Sequence, residues 1–228
     1  GGVRKNQNIN DHLKTTDDNG HISHVTEWIR RQFASWGGIG CEATFDDTGG
    51  NGYISVTGGK VSQLHLQDFP AMAMPIKEVI ITNDPTTPYR ETGNLNTITE
   101  FSDGSAWSNR WGKIVVWAVT NKTGEESFLY VNLPLGGETS ESRAVDDQQK
   151  YADYSIPQKY KSNAILIASF VINISGGSVS YGTGYEDLRG TIPSNIAGGG
   201  GAGGISEFLG LSDTPSAYTG QGLKVVRV

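Results

Sequence analysis

Two stretches of this chain, Trp111–Val119 and Ala164–Ile174, are almost continuously apolar and rich in Val, Ile and aromatic side chains. A strand with one face in water alternates apolar and polar residues, whereas a strand without that alternation has both faces covered. The two stretches therefore require a sheet packed on each side, and no other feature limits the fold as strongly. Phe128-Leu129-Tyr130-Val131-Asn132-Leu133 supplies a third core strand, entered from the turn Asn121-Lys122-Thr123-Gly124.

Shorter β-prone runs precede these. Gly52–Thr57 reaches Gly58-Gly59, a pair that can turn the chain into Val61–Leu66 as a hairpin. Glu78–Thr82 stops at Asn83-Asp84-Pro85, and Leu95, Thr97, Thr99 and Phe101 alternate as one face of a further strand. Strand-like runs punctuated by turn residues predict a mainly β fold, an antiparallel β-sandwich-like module over about 40–190. One segment carries helical spacing instead: Ile22, Val25, Trp28, Ile29, Phe33 and Trp36 recur at three and four, with Ser23 as cap and Gly37 as stop. A helix over about 22–36 is expected within an N-terminal connector, 1–39. Part of its apolar face also fits heptad positions, so packing on its own domain and a short inter-chain seam are both open.

The segment 191–204 contains Pro193 and then Gly198–Gly204, where six of seven residues are glycine. That composition behaves as a flexible coil, so 191–204 is expected to be a glycine-rich tether leading into a second β module that starts at 205–228. Gly182-Thr183-Gly184, also glycine-rich, reads as a turn. In total 31 of the 228 residues are Gly, about twice the usual ~7%, with no Gly-X-Y period. The remaining composition supports at least one sizeable core. The opening Gly1-Gly2-Val3 and the final Leu223–Val228 both read as interrupted, so a fragment of a longer polypeptide is expected.

Charge and cysteine content exclude several classes. Eighteen Lys+Arg against 24 Asp+Glu leave a formal net charge of −6 with no basic run, which argues against nucleic acid as a partner. The longest near-apolar run, Ala164–Ile172, falls well short of the ~20 residues of a membrane helix, so no membrane insertion is expected. Cys41 is the sole cysteine and can form neither an intrachain disulfide nor a multi-thiolate metal site. It reads as a buried, inert thiol. His21 and His24 stand at i, i+3 without a third ligand at metal spacing, and His12 and His65 are isolated, so neither metal nor cofactor is expected. Neighbouring carboxylates such as Asp46-Asp47 and Asp146-Asp147 read as solvated turns, because adjacent strand residues point to opposite faces. Neither a nucleophile elbow nor a phosphate loop occurs. Trp107, Trp111 and Trp117 lie close together beside Asn109 and Arg110. Trp111 and Trp117 flank an apolar run and belong to a core, which leaves Trp107 as the surface candidate. With Asn109 and Arg110 it forms a possible sugar site, a ring face for the pyranose and polar groups for its hydroxyls.

Three stretches resemble bacteriophage tail-fibre or related virion appendage proteins. They are Phe208–Val228 (FLGLSDTPSAYTGQGLKVVRV), Tyr185–Pro193 (YEDLRGTIP) ahead of the glycine run, and Trp111–Val171 with its Asn121–Glu125, Val131–Pro134 and Asp153–Pro157 segments. The resemblance covers about 107–228. It implies an elongated homotrimeric structural protein, not an enzyme, located in the virion, assembled in the host cytoplasm beside other virion or tail proteins, and helping to contact the host surface. Alternatives are a carbohydrate-binding module or adhesin of a cell-surface protein, using Trp107, Asn109 and Arg110, and a glycan-degrading tailspike domain using carboxylates such as Asp46, Glu100 or Asp103.

Overall fold

The computed structural model describes residues 34–63, 65–120, 126–146 and 156–191, together with His24, Val25 and Trp28. The chain divides between Ser194 and Asn195 into two units, and everything described belongs to the first. The expected turn 121–124, the tether beyond Thr191 and the module at 205–228 lie outside the described residues, as does most of the connector 1–39.

The fold is mainly β. Twelve strands are described: β1 Ser35–Gly40, β2 Ala43–Asp46, β3 Tyr53–Val56, β4 Gly59–Gln63, β5 His65–Phe69, β6 Met72–Ala73, β7 Val79–Ile81, β8 Arg90–Thr92, β9 Arg110–Val119, β10 Phe128–Asn132, β11 Ala164–Ser175 and β12 Ser178–Asp187. They form three open sheets, ordered β1-β4-β5, β2-β3-β6 and β12-β11-β9-β10-β7-β8.

The six-stranded sheet meets the demand made by the apolar runs. Every residue of β11 from Ala164 to Ile174 is buried, and its alternate side chains enter two different cores. Ile165, Ile167, Phe170, Ile172 and Ile174 join Ile114, Val116, Ala118, Leu129 and Val131 in the large core, together with Ile54, Val56, Val61 and Phe69 from the two small sheets. Leu166, Val115, Trp117, Val119 and Tyr130 face the other way, into a second core closed by Ile156 and Leu188. Each such side chain contributes ~1.5–3 kcal/mol on full burial, so these central strands anchor the body.

Polar groups buried in the sheet are paired. Trp117 donates its indole N–H to Asn132 Oδ1 (2.7 Å), and Asn132 Nδ2 donates to Thr82 Oγ1 (2.8 Å). Asn83 donates from Nδ2 to the Leu133 carbonyl (2.8 Å) and accepts from the Leu133 amide (2.7 Å). Its side chain thus mimics one more peptide unit beyond β7, prolonging the pairing with β10 past the strand.

Several expectations are corrected. The sheet is mixed rather than wholly antiparallel, because β7 and β10 pair in parallel through Tyr130↔Ile80 and Val131↔Ile81. β3 and β4 do not form a hairpin: β3 pairs with β2 and β6, and β4 with β1 and β5. The chain changes sheets at Thr57-Gly58, where the Thr57 amide bonds the Glu42 carbonyl at 2.9 Å. Leu95–Phe101 is not a strand, since Leu95–Thr97 is a 3-10 turn and Leu95, Ile98 and Phe101 are the buried positions. A period of three, rather than two, puts apolar side chains inward there. Gly182–Gly184 is part of β12 instead of a turn. The helix expected over 22–36 falls mostly outside the described residues, and its final positions are otherwise: Ser35 and Trp36 begin β1, paired with Ser62 and Val61.

Candidate functional site

Trp107 does not form the sugar platform expected of it. It is 3% exposed, stacked on Phe101 with ring centroids 4.4 Å apart, and its indole N–H donates to the Arg110 carbonyl at 2.9 Å. Gly112 leaves room for this, since a Cβ there would meet both Trp107 and Phe101. The hydrogen bond satisfies the ring's polar atom and allows the whole indole to be buried, which outweighs its position in a serine-rich loop. Asn109 and Arg110 are exposed, with Asn109 at φ 52° and Arg110 Nη1 donating to the Gly137 carbonyl. The three residues therefore present no common binding face with an aromatic floor.

The carboxylates named from sequence serve their own loops. Asp46 Oδ1 accepts from the Thr48 amide (2.9 Å) and hydroxyl (2.6 Å), and Asp103 Oδ1 accepts from the Ser105 amide (2.8 Å) and hydroxyl (2.6 Å). These bonds hold both carboxyls below the usual carboxylate range, the opposite of what a general acid needs. Glu100 accepts from the Thr86 hydroxyl. Cys41 is fully buried, and burial pushes its thiol up to about 11, so it is a poor nucleophile at neutral pH. His24 and His65 are exposed, whereas His12 and His21 lie outside the described residues. Among the described residues no group of three His, Cys, Asp or Glu is placed to share a metal ion.

A multi-residue polar assembly among the described residues closes the body at the end of its last strand. Arg189 donates from Nε and Nη2 to the two oxygens of Asp187, at 2.9 and 2.6 Å, and from Nη1 to the Gly40 carbonyl at 2.8 Å. Its Nη1 also lies 3.5 Å from Glu42 Oε1, and its guanidinium sits 4.9 Å from the Trp36 ring centroid. Trp36 in turn donates its indole N–H to the Gly40 carbonyl at 3.1 Å. Residues at the end of β12 and in β1 are thereby clasped together, so the described body begins and ends at one place. The Arg189 side chain is 13% exposed, and its pairing keeps Asp187 below the usual carboxylate range. Tyr185–Pro193 carries part of the fibre-protein resemblance, which assigns Arg189 no role. The available signal was the Asp-Leu-Arg spacing, in which Asp187 and Arg189 are two apart at a strand end.

A second organised loop, 83–89, presents an aromatic side chain. The nearly buried Asp84 accepts from the amides of Thr86 and Thr87 (3.0 and 2.8 Å) and lies 3.5 Å from Arg90 Nη1. Arg90 Nη2 also bonds the Thr97 carbonyl at 3.0 Å. On this braced support Tyr89 stands 52% exposed at φ 64°, a left-handed conformation costly for a bulky residue and concentrated at functional loops. Comparison of the chain with protein-family models, curated proteins and solved structures gives no match of significance.

Proposed function

We propose that the chain is a structural segment of a bacteriophage tail fibre or related virion appendage, homotrimeric, assembled with other virion proteins and contributing to host-surface attachment. The 40–190 region is read as a sandwich-like body, because the six-stranded sheet and both small sheets contribute to one core. The carrying observation is the Asp187–Arg189 clasp. It lies within Tyr185–Pro193, one of the stretches that resemble fibre proteins, and braces the body immediately before the glycine-rich segment. A module under tension at its exit benefits from charge-assisted, bidentate bonds there, which are about twice as strong as neutral ones.

Trimerisation is the testable core of this reading. Native mass spectrometry of the full chain is expected to give the trimer mass, and a monomer at all concentrations overturns the proposal. The alternative of a carbohydrate-binding module or adhesin is favoured by a different observation, the braced, exposed Tyr89, and not by the buried Trp107. The two readings are compatible, since an appendage can carry a saccharide site.

A further inference from the structure

We propose that a depression at the β7–β8–β10 end of the six-stranded sheet binds a hydroxyl-rich, non-anionic saccharide. Its volume is about 480 Å³, within the range of small-molecule sites. Half-buried Ile80 and Phe128 form an apolar floor with Pro75 beside them, and Lys77, Glu78, Glu91 and Glu126 form the rim. Strand register explains the juxtaposition: Ile80 is paired with Tyr130 on one side and Glu91 on the other. The two-residue strand period then places Glu78 on the face of Ile80, and Phe128 on the face of Tyr130.

The lining selects the ligand chemistry. The C–H face of a sugar ring packs against Phe128 and Ile80, as apolar surface does against an aromatic side chain, while sugar hydroxyls donate to carboxylates. Lys77 is held by Glu126 at 2.8 Å, whereas the carboxylates of Glu78 and Glu91 make no hydrogen bond or ion pair among the described residues and are free to accept. Among the described lining residues three carboxylates stand against one ammonium, which repels uronic acids, sialic acids and phosphorylated sugars, so charge complementarity favours neutral or amino-bearing saccharides. The position also suits a ligand held at a distance. β8 and β12 are opposite edges of the sheet, five spacings of ~4.8 Å or about 24 Å apart, and the clasp closing the body lies at the β12 side.

The assignment to a host glycan rests on the attachment reading, while the saccharide site itself stands apart from trimerisation. The test is titration of the full chain, followed by amide chemical shifts and calorimetry, with maltohexaose, N-acetylchitohexaose and glucosamine hexamer as non-anionic probes and hexagalacturonate as the acidic one. At least one non-anionic probe is expected to saturate, with shifts centred on residues 77–80, 90–92 and 126–128, and hexagalacturonate is expected not to bind. The exposed double substitution Glu78→Ala, Glu91→Ala is expected to weaken binding about tenfold or more with unfolding unchanged. Absence of binding by every non-anionic probe at millimolar concentration, shifts centred elsewhere, equal binding of hexagalacturonate, or undiminished binding by the double variant overturns the proposal. A trimer that binds no probe removes the site and leaves the appendage reading, and a monomer that binds does the reverse.

Discussion

Arg189 places Nε and Nη2 on Asp187 and Nη1 on the Gly40 carbonyl, with the guanidinium over Trp36. A lysine offers one point charge and no planar fork, so it cannot reproduce that set. Arg189→Ala is expected to lower the unfolding free energy by ~2–3 kcal/mol, from the loss of charge-assisted hydrogen bonds. Arg189→Lys is expected to recover less than half of the loss, both read from urea denaturation. The same contact sets a pH dependence. The side-chain hydrogen bond to Arg189 lowers the Asp187 carboxyl from its ordinary 3.8, so folding favours the ionised form. That contribution is complete above the ordinary value and is lost as pH falls through the lowered one. Stability measured from pH 5 to pH 2 should therefore fall more steeply in the wild type than in Asp187→Asn, and equal slopes would show that the pair contributes nothing. At Trp107 a single indole hydrogen bond reverses the expected exposure, which no pattern in the neighbouring Ser105 and Ser108 signals.

Among the elements, legibility followed the strength of the apolar pattern. β9, β10 and β11 were readable because both their faces are covered, leaving no polar alternation to obscure them. Leu95–Phe101 has the look of a strand because its Thr residues alternate, while its three buried side chains follow a 3-10 period that a seven-residue window barely distinguishes from two. β1 was hidden because Ser35-Trp36-Gly37-Gly38 has little strand propensity, and its pairing with β4 is long-range. β12 was hidden by its glycines, which serve close approach rather than a turn: a Cβ at Gly182 would meet the Glu141 carboxyl, and one at Gly184 would meet Val171 and Val145. Glu141, from the short helix Glu141–Asp146, accepts from the Thr183 amide, and Asp47 accepts from the Tyr181 amide. Two carboxylates thus occupy donors on this edge strand that could otherwise pair with another chain. Gly184→Ala is expected to cost ~1–3 kcal/mol by overpacking against β11, measurable as a lower thermal midpoint. An unchanged midpoint would mean that both Val171 in β11 and Val145 give way without penalty.

At the scale of the molecule, the large core joins all three sheets, and the second core covers the opposite face of the longest one. The body is closed by a residue pair two positions apart in sequence, and its first described strand lies against that closure. This organisation, a β body braced at the end of its last strand, is what supports the proposed fibre reading, while Trp107 of the expected sugar triad is buried and Asn109 and Arg110 stay exposed without an aromatic floor. The exposed Tyr89 and the depression beside β8 are the surfaces through which contact is proposed. The appendage reading rests on those features together with the resemblance of residues 107–228, and its claim is architectural. Cryo-electron microscopy of particles carrying this chain tests it most directly. The account expects three copies of the 35–190 body around the axis of a tail or surface appendage. Particles whose appendages lack the body, or carry it as single copies without threefold symmetry, would contradict it.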